Sequence, residues 1–315
     1  MVLKNFQTKI NHLIPSRFLK AGLIIKMMNK QTVLIAGGTG NIGGGAAVSL
    51  AERGAKVVIL GHRQNHLDTK AKYFHNILSE KGIKNNDIDI ETLLIDFSDM
   101  QSVRNSATEA LKRFPKINGI IFSVGSLVQN GPTILPSGHE VMFAINVLGP
   151  FLFTKMLNER LQQSNGLVLH IINPTYKKID WDDIESIKNH KTGVAFERTK
   201  MMNRIFAGEL ARRYDGKISS IAFHPSYIID KKDPELKKRW PKGFLGFAWK
   251  VLTILIAKPP RVAGEPIADL FLSYKDRNEL NGAYFKLNRR IQKADKIMND
   301  IEMGKRFWNE LEKLV

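Results

Sequence analysis

The chain has 315 residues, 43% of them hydrophobic and none cysteine, and its 48 Lys+Arg against 30 Asp+Glu give a formal net charge of +18. That length and apolar content suffice to bury a full core, and the missing cysteines exclude disulfide frameworks, thiolate metal sites and cysteine nucleophiles together. The positive excess raises nucleic acid or an anionic membrane as a partner, and its distribution must decide between them.

Residues 1–30 carry Lys4, Lys9, Arg17, Lys20, Lys26 and Lys30 and no acidic residue. Leu3, Phe6, Ile10, Leu13 and Ile14 recur at helical spacing, so residues 3–14 read as a short basic amphipathic segment before Pro15. Three readings stand side by side: a mitochondrial-type targeting leader, an interfacial membrane anchor, and a true start at Met27 or Met28. No run in it reaches the ~18 apolar residues that a spanning helix needs.

From residue 31 short apolar runs alternate with helical patterns. Residues 32–36, 56–60, 91–95, 119–123, 167–172 and 218–223, rich in Val, Ile and Leu, are predicted strands, and 43–53, 100–113, 140–161 and 197–213 are predicted helices. Such alternation predicts a Rossmann-type, doubly wound parallel α/β sheet, because parallel strands need crossover helices on both faces. No Gly/Ser-rich linker interrupts the pattern, so residues 31–315 are expected to form one domain that includes a lid segment at 227–261.

Directly after the first strand comes Gly37-Gly38-Thr39-Gly40-Asn41-Ile42-Gly43-Gly44-Gly45, and a helical pattern follows. Glycines let backbone N–H groups approach a pyrophosphate, which then sits on the positive end of the helix dipole. The strand–turn–helix setting is the one a dinucleotide fingerprint requires. The second strand ends in Gly61-His62-Arg63 with no acidic residue to accept from the adenine-ribose hydroxyls of NAD. Its absence, with Arg63 close by, favours NADP over NAD. His62 and His66 are four apart, but no third metal ligand is apparent and they read as a solvated pair, so no metal is expected.

Further motifs follow in order. Asp96-Phe97-Ser98 ends the third strand, and Gly138-His139-Glu140 leads to Asn146-Val147-Leu148-Gly149-Pro150-Phe151. Ile179-Asp180-Trp181-Asp182-Asp183, the helical run 200–213, His224-Pro225-Ser226, Gly282-Ala283-Tyr284-Phe285 and the ending Phe307-Trp308-Asn309-Glu310-Leu311 complete the set. Together with the glycine loop, these resemble the short-chain dehydrogenase/reductase family and, within it, the retinol-dehydrogenase-like branch, over nearly all of residues 31–315. The resemblance implies an oxidoreductase of lipophilic carbonyls or alcohols. It also implies cofactor contacts from Gly37, Thr39, Gly40, Asn41, Ile42, Gly43, Arg63, Asp96, Phe97, Gly125, Lys200 and Pro225.

Departures from the family pattern are as informative. Asn41 stands at the middle glycine of the family loop, and Phe122-Ser123-Val124-Gly125 keeps only the glycine of the family's N-N-A-G stretch. In the family, a Tyr hydroxyl exchanges a proton with the substrate oxygen, and a Lys four residues later holds the nicotinamide ribose and lowers the Tyr pKa. A Ser after the fifth strand polarises the substrate, and an Asn completes a water relay. Here the Tyr/Lys pair aligns with Phe196 and Lys200, the Ser with Asn173 or Pro174, and the Asn with Asn146. Phe cannot move a proton, and a positioned acid–base group is worth roughly 10²- to 10⁴-fold in rate. Tyr176, three residues past Asn173, is the one evident surrogate phenol.

Two readings follow. One is a cofactor-binding pseudoenzyme with impaired or non-standard catalysis, sensing NADP(H) or serving as an interaction subunit. The other is an active NADP-dependent reductase whose proton comes from Tyr176 or water.

Residues 227–261 carry nine Lys or Arg against Asp230, Asp233 and Glu235, and 244–257 are apolar on nearly every side. A core helix with snorkelling lysines and an interfacial lid that draws an apolar substrate from anionic lipid are the competing readings. The leader and this segment supply +6 each, leaving +6 for the rest. That distribution favours a peripheral membrane surface over nucleic acid, for which no recognition motif is present. The expected setting is cytoplasmic or peripheral on an intracellular membrane, with an organelle as the address if the leader is read. A homo-oligomer is compatible with everything above.

Overall fold

The computed structural model describes residues 31–129, 131–230, 256–272, 277–287 and 295–315. The basic leader and most of the expected lid segment lie outside the described residues. Seven strands form one sheet: β1 (Thr32–Ala36), β2 (Lys56–Gly61), β3 (Ile90–Leu94), β4 (Gly119–Phe122), β5 (Leu167–Ile171), β6 (Ser219–His224) and β7 (Tyr284–Lys286). Their order is β3-β2-β1-β4-β5-β6-β7, and every pairing is parallel. The described helices of more than one turn are α1 (Asn41–Ala51), α2 (Gln64–Glu80), α3 (Met100–Arg113), α4 (Val141–Gln163), α5 (Thr192–Arg213), α6 (Pro260–Leu272) and α7 (Ile301–Lys313).

β1, β4 and β5 are buried at every position, as strands covered on both faces must be. On one face Leu34, Val58, Phe122 and Val168 pack under Val103, Phe151, Phe206 and Trp308. On the other, Val33, Ile35, Ile59 and Ile121 pack under Leu50, Phe74 and Phe271. The second layer is closed by an unusually tight crossing of α6 on α1. A Cβ on Gly264 would lie 2.1 Å from the Gly45 carbonyl oxygen, and one on Gly45 would lie 2.3 Å from that of Pro260.

The strand order reverses at β1, whose residues Val33–Ala36 pair with β2 on one side and β4 on the other. The crevice at the carboxyl ends of strands at such a switch point is where open α/β sheets bind ligands. Two features refine the sequence expectation there. Helix α4 is not a plain α-helix: residues Ala144–Leu148 form a π-turn with Asn146 at its centre, a widening frequent at functional sites. Although long and apolar enough to cross a membrane, α4 is 78% buried over its most apolar window, as a core helix should be.

Candidate active site

The turn from β1 into α1 is built by contact. Gly37 has φ +74°, in the region that favours glycine, and a Cβ there would lie 3.0 Å from the Ser123 carbonyl group. A Cβ on Gly43 would lie 2.4 Å from the Gly37 carbonyl oxygen, so the first turn of α1 folds directly onto the loop. Gly40 is the N-cap, and neither a side-chain cap nor an acidic residue occupies the first turn. Backbone N–H groups therefore meet an incoming ligand at the positive end of the helix, which fits a pyrophosphate. Thr39 and Ile42 are half-buried on the same turn. Asn41, in place of a glycine, accepts from the Asp230 backbone N–H at 3.2 Å and so ties the loop to the chain beyond β6.

Arg63 is exposed just after β2, and among the described residues its guanidinium makes no ion pair. Asp96, past β3, accepts from the backbone N–H and hydroxyl of Ser98 at 2.9 and 2.6 Å. The Phe97 ring departs from its sequence assignment. It is 6% exposed and edge-on to Phe122 and Phe153 in the core, so only its backbone remains for a cofactor. Pro225 is buried just after β6, and Ser226 beyond it holds a left-handed φ of 67°.

Three side chains stitch the loop after β4 to the helices. Lys200 Nζ donates to the Val124 carbonyl at 2.8 Å and lies 3.1 Å from where a Cβ on the exposed Gly125 would stand. Asn146, 1% exposed, accepts from the Ser126 N–H at 2.8 Å and donates to the Ser126 carbonyl and the Thr199 hydroxyl at 3.0 and 3.2 Å. Thr199 in turn donates to the Phe196 carbonyl at 2.7 Å. Thr199 is absent from the sequence reading, and its place beside Lys200 is the signal that could have found it.

Phe196 and Lys200 share a face of α5, with Nζ 5.5 Å from the ring centroid. The ring packs against the buried cluster of Val141, Met142 and Ala195. Burial lowers the Lys200 ammonium to about 8. Behind it on β5, His170 is stacked on Phe122 and edge-on to Phe206, and its buried Nε2 has no hydrogen-bond partner among the described residues. Burial first, and then the Lys200 charge, lower His170 to about 3, so it is a neutral core group.

Asn173 is exposed at the end of β5 and borders a cleft of about 700 Å³ with Thr175, Tyr176, Glu197, His224 and Tyr227. The Tyr176 ring centroid lies 5.1 Å from the guanidinium of Arg204, four residues past Lys200 on α5. Arg204, 1% exposed, pairs with Asp295 and donates to the Thr175 carbonyl. Burial and Lys286 hold His224 below the usual histidine range. A second cleft of about 600 Å³ follows α1 between α2 and α6 and is lined along the glycine stretch by Thr39, Gly40, Asn41, Gly44 and Gly45. Asn173 and Tyr176 line the first, and Asn146, Phe196 and Lys200 line neither. No cluster able to hold a metal ion occurs among the described residues.

A family model described as short chain dehydrogenase matches residues 31–175. Retinol dehydrogenase 13 of Mus musculus is 24% identical over 290 residues, covering 90% of this chain and 84% of that protein. Retinol dehydrogenase 14 of Mus musculus is 27% identical over 210 residues, 64% of this chain and 62% of that protein, so the match spans less than two thirds of its length. Among solved structures, a short chain dehydrogenase from Shigella flexneri complexed with NADP has a TM-score of 0.59 at 17% identity. It covers 83% of this chain and 98% of its own.

Proposed function

The chain belongs to the short-chain dehydrogenase/reductases, with retinol dehydrogenases among its relatives, and from that premise we propose that it binds NADP(H) while its own proton relay is impaired. An NAD(P) dinucleotide is the cofactor class of this family. The preference for the 2′-phosphorylated form rests on the exposed Arg63 after β2, on the missing acidic residue there, and on the NADP held by the Shigella flexneri neighbour. The ligand class carried over from the retinol dehydrogenases is a lipophilic carbonyl or alcohol.

One observation carries the reading of impaired catalysis: a hydrocarbon ring, Phe196, stands 5.5 Å from the ammonium of Lys200, where the family places a phenol. The bound cofactor supplies hydride chemistry, and the rest falls to the protein. The glycine turn and the N-terminus of α1 bind phosphate oxygens. Lys200, buried and already donating to Val124, has further N–H bonds for ribose hydroxyls. Asn146 holds the β4 loop in place from within the π-turn. The exposed Asn173 amide orients a substrate oxygen by hydrogen bonding, but it has no proton to give. Tyr176 is held over Arg204, and water is the proton source for slow turnover.

The test is fluorescence titration of the full chain with NADPH and NADH, followed by NADPH consumption with a panel of aldehydes and ketones. Tight NADPH binding with turnover far below an ordinary ~10 s⁻¹ is the expected result. Turnover at ordinary rates, abolished by Lys200→Ala, overturns it. The peripheral-membrane reading of the basic segment 227–261 belongs to the same proposal. Failure to co-sediment with anionic vesicles at low salt removes that part.

A further inference from the structure

We propose that the cleft between residues 173–177 and 224–227 is a site for a planar aromatic ligand with oxygen substituents at its edge, and that Tyr176 is its stacking platform. The inference names the ligand class of the site described above and rests on the functional reading only in taking this cleft as the substrate's.

The argument begins with what lines the cleft. Tyr176, His224 and Tyr227 contribute rings, and Asn173, Thr175 and Glu197 contribute hydrogen-bonding groups. Among the described residues it has no Leu, Ile, Val or Met in its wall. A chain-shaped aliphatic ligand would leave those polar groups desolvated and unpaired, which costs more than its own burial returns. A flat ring with hydroxyl or carbonyl groups at its rim satisfies both: its faces meet rings, and its edge meets amide, hydroxyl and carboxylate.

Tyr176 is the pre-set part. The residue is 75% exposed, yet its ring has a fixed partner. What holds it is Arg204, buried to 1% exposure. The guanidinium lies 5.1 Å from the Tyr176 centroid and 5.6 Å from that of Tyr284. It is anchored by Asp295 and by the Thr175 carbonyl next to Tyr176 in the chain. A buried arginine tied to a distant carboxylate thus fixes one residue and backs the next, keeping the open ring ready without an ordering cost on binding. Arg204 is in this sense a positioning residue.

The probes are dihydroxynaphthalene and its fully saturated counterpart, decalin diol, which share carbon skeleton and oxygens and differ in aromaticity. Calorimetric titration of the full chain, with and without NADPH, is expected to show at least about tenfold tighter binding of the naphthalene. Tyr176→Ala should erase that preference and Tyr176→Phe should keep it, since the ring stacks and the hydroxyl does not. Arg204→Met should weaken the naphthalene alone, leaving decalin diol unchanged, which a general loss of folding would not do. Equal binding of the two diols, or a preference untouched by Tyr176→Ala, overturns the proposal. Naphthalene binding with NADPH affinity absent sustains it while the cofactor reading fails, so the two failures are distinguishable.

Discussion

The two halves of the crevice differ in what carries their chemistry. On the β1–α1 side, the glycine turn has the backbone shape that a pyrophosphate requires, with atoms in contact at Gly37 and Gly43. On the β5–α5 side, the frame is just as well built around Asn146, Thr199 and Lys200, yet the ring facing Lys200 bears no oxygen. Phosphate binding is distributed over many backbone N–H groups and is hard to lose by a single substitution. Proton transfer resides in one atom.

The strongest way to break this contrast is to restore the atom. Phe196→Tyr is expected to raise NADPH-dependent turnover by roughly 10²- to 10⁴-fold if the missing hydroxyl is the main lesion. An unchanged rate in steady-state assays places the lesion elsewhere, Asn173 first. On the other side, Gly43→Ala pushes a methyl into the Gly37 carbonyl. It should weaken NADPH binding about 100-fold and lower stability by about 1–3 kcal/mol, read by titration and thermal melts. Arg63→Ala should cost NADPH about tenfold and leave NADH unchanged. Equal loss of both would show that Arg63 does not read the 2′-phosphate.

Two buried bases sharpen the comparison through pH. The folded His170 sits at about 3 against an ordinary 6.5. The unfolded chain therefore binds the extra proton between those values, and stability falls as pH drops from about 6.5 towards 3. His170→Phe should flatten that limb of a stability–pH curve. Lys200 sits at about 8 against 10.5, so stability rises with pH across that window, and Lys200→Met should remove the rise. The smallest effect is expected at Ser226, whose positive φ suits glycine. Ser226→Gly should gain about 1 kcal/mol in denaturant melts.

Much of the sheet was legible, because buried parallel strands are short runs of Val, Ile and Leu with little else to be. β7 escaped prediction: three residues, Tyr284–Lys286, make a strand only because β6 is there to pair with them. Helix α2 was missed because its buried stripe of Leu67, Phe74 and Leu78 is interrupted by a buried lysine, Lys70. At the site, the glycine turn and the Phe196/Lys200 pair could be read at fixed spacing. Phe97 could not be placed, since motif position says nothing about which way a ring turns.

What the sequence alone determined is what depends on neighbours in the chain: strand and helix periods, the glycine turn after the first strand, and the absence of a hydroxyl at position 196. What only the tertiary structure decided depends on distant residues meeting. Arg204 reads as an ordinary solvated charge on a helix until Asp295, 91 positions away, and two tyrosines surround it. His170 becomes a neutral core group only between Phe122 and Phe206. Burial sets the cost of a charge, and burial is a property of the packed molecule rather than of any stretch of chain.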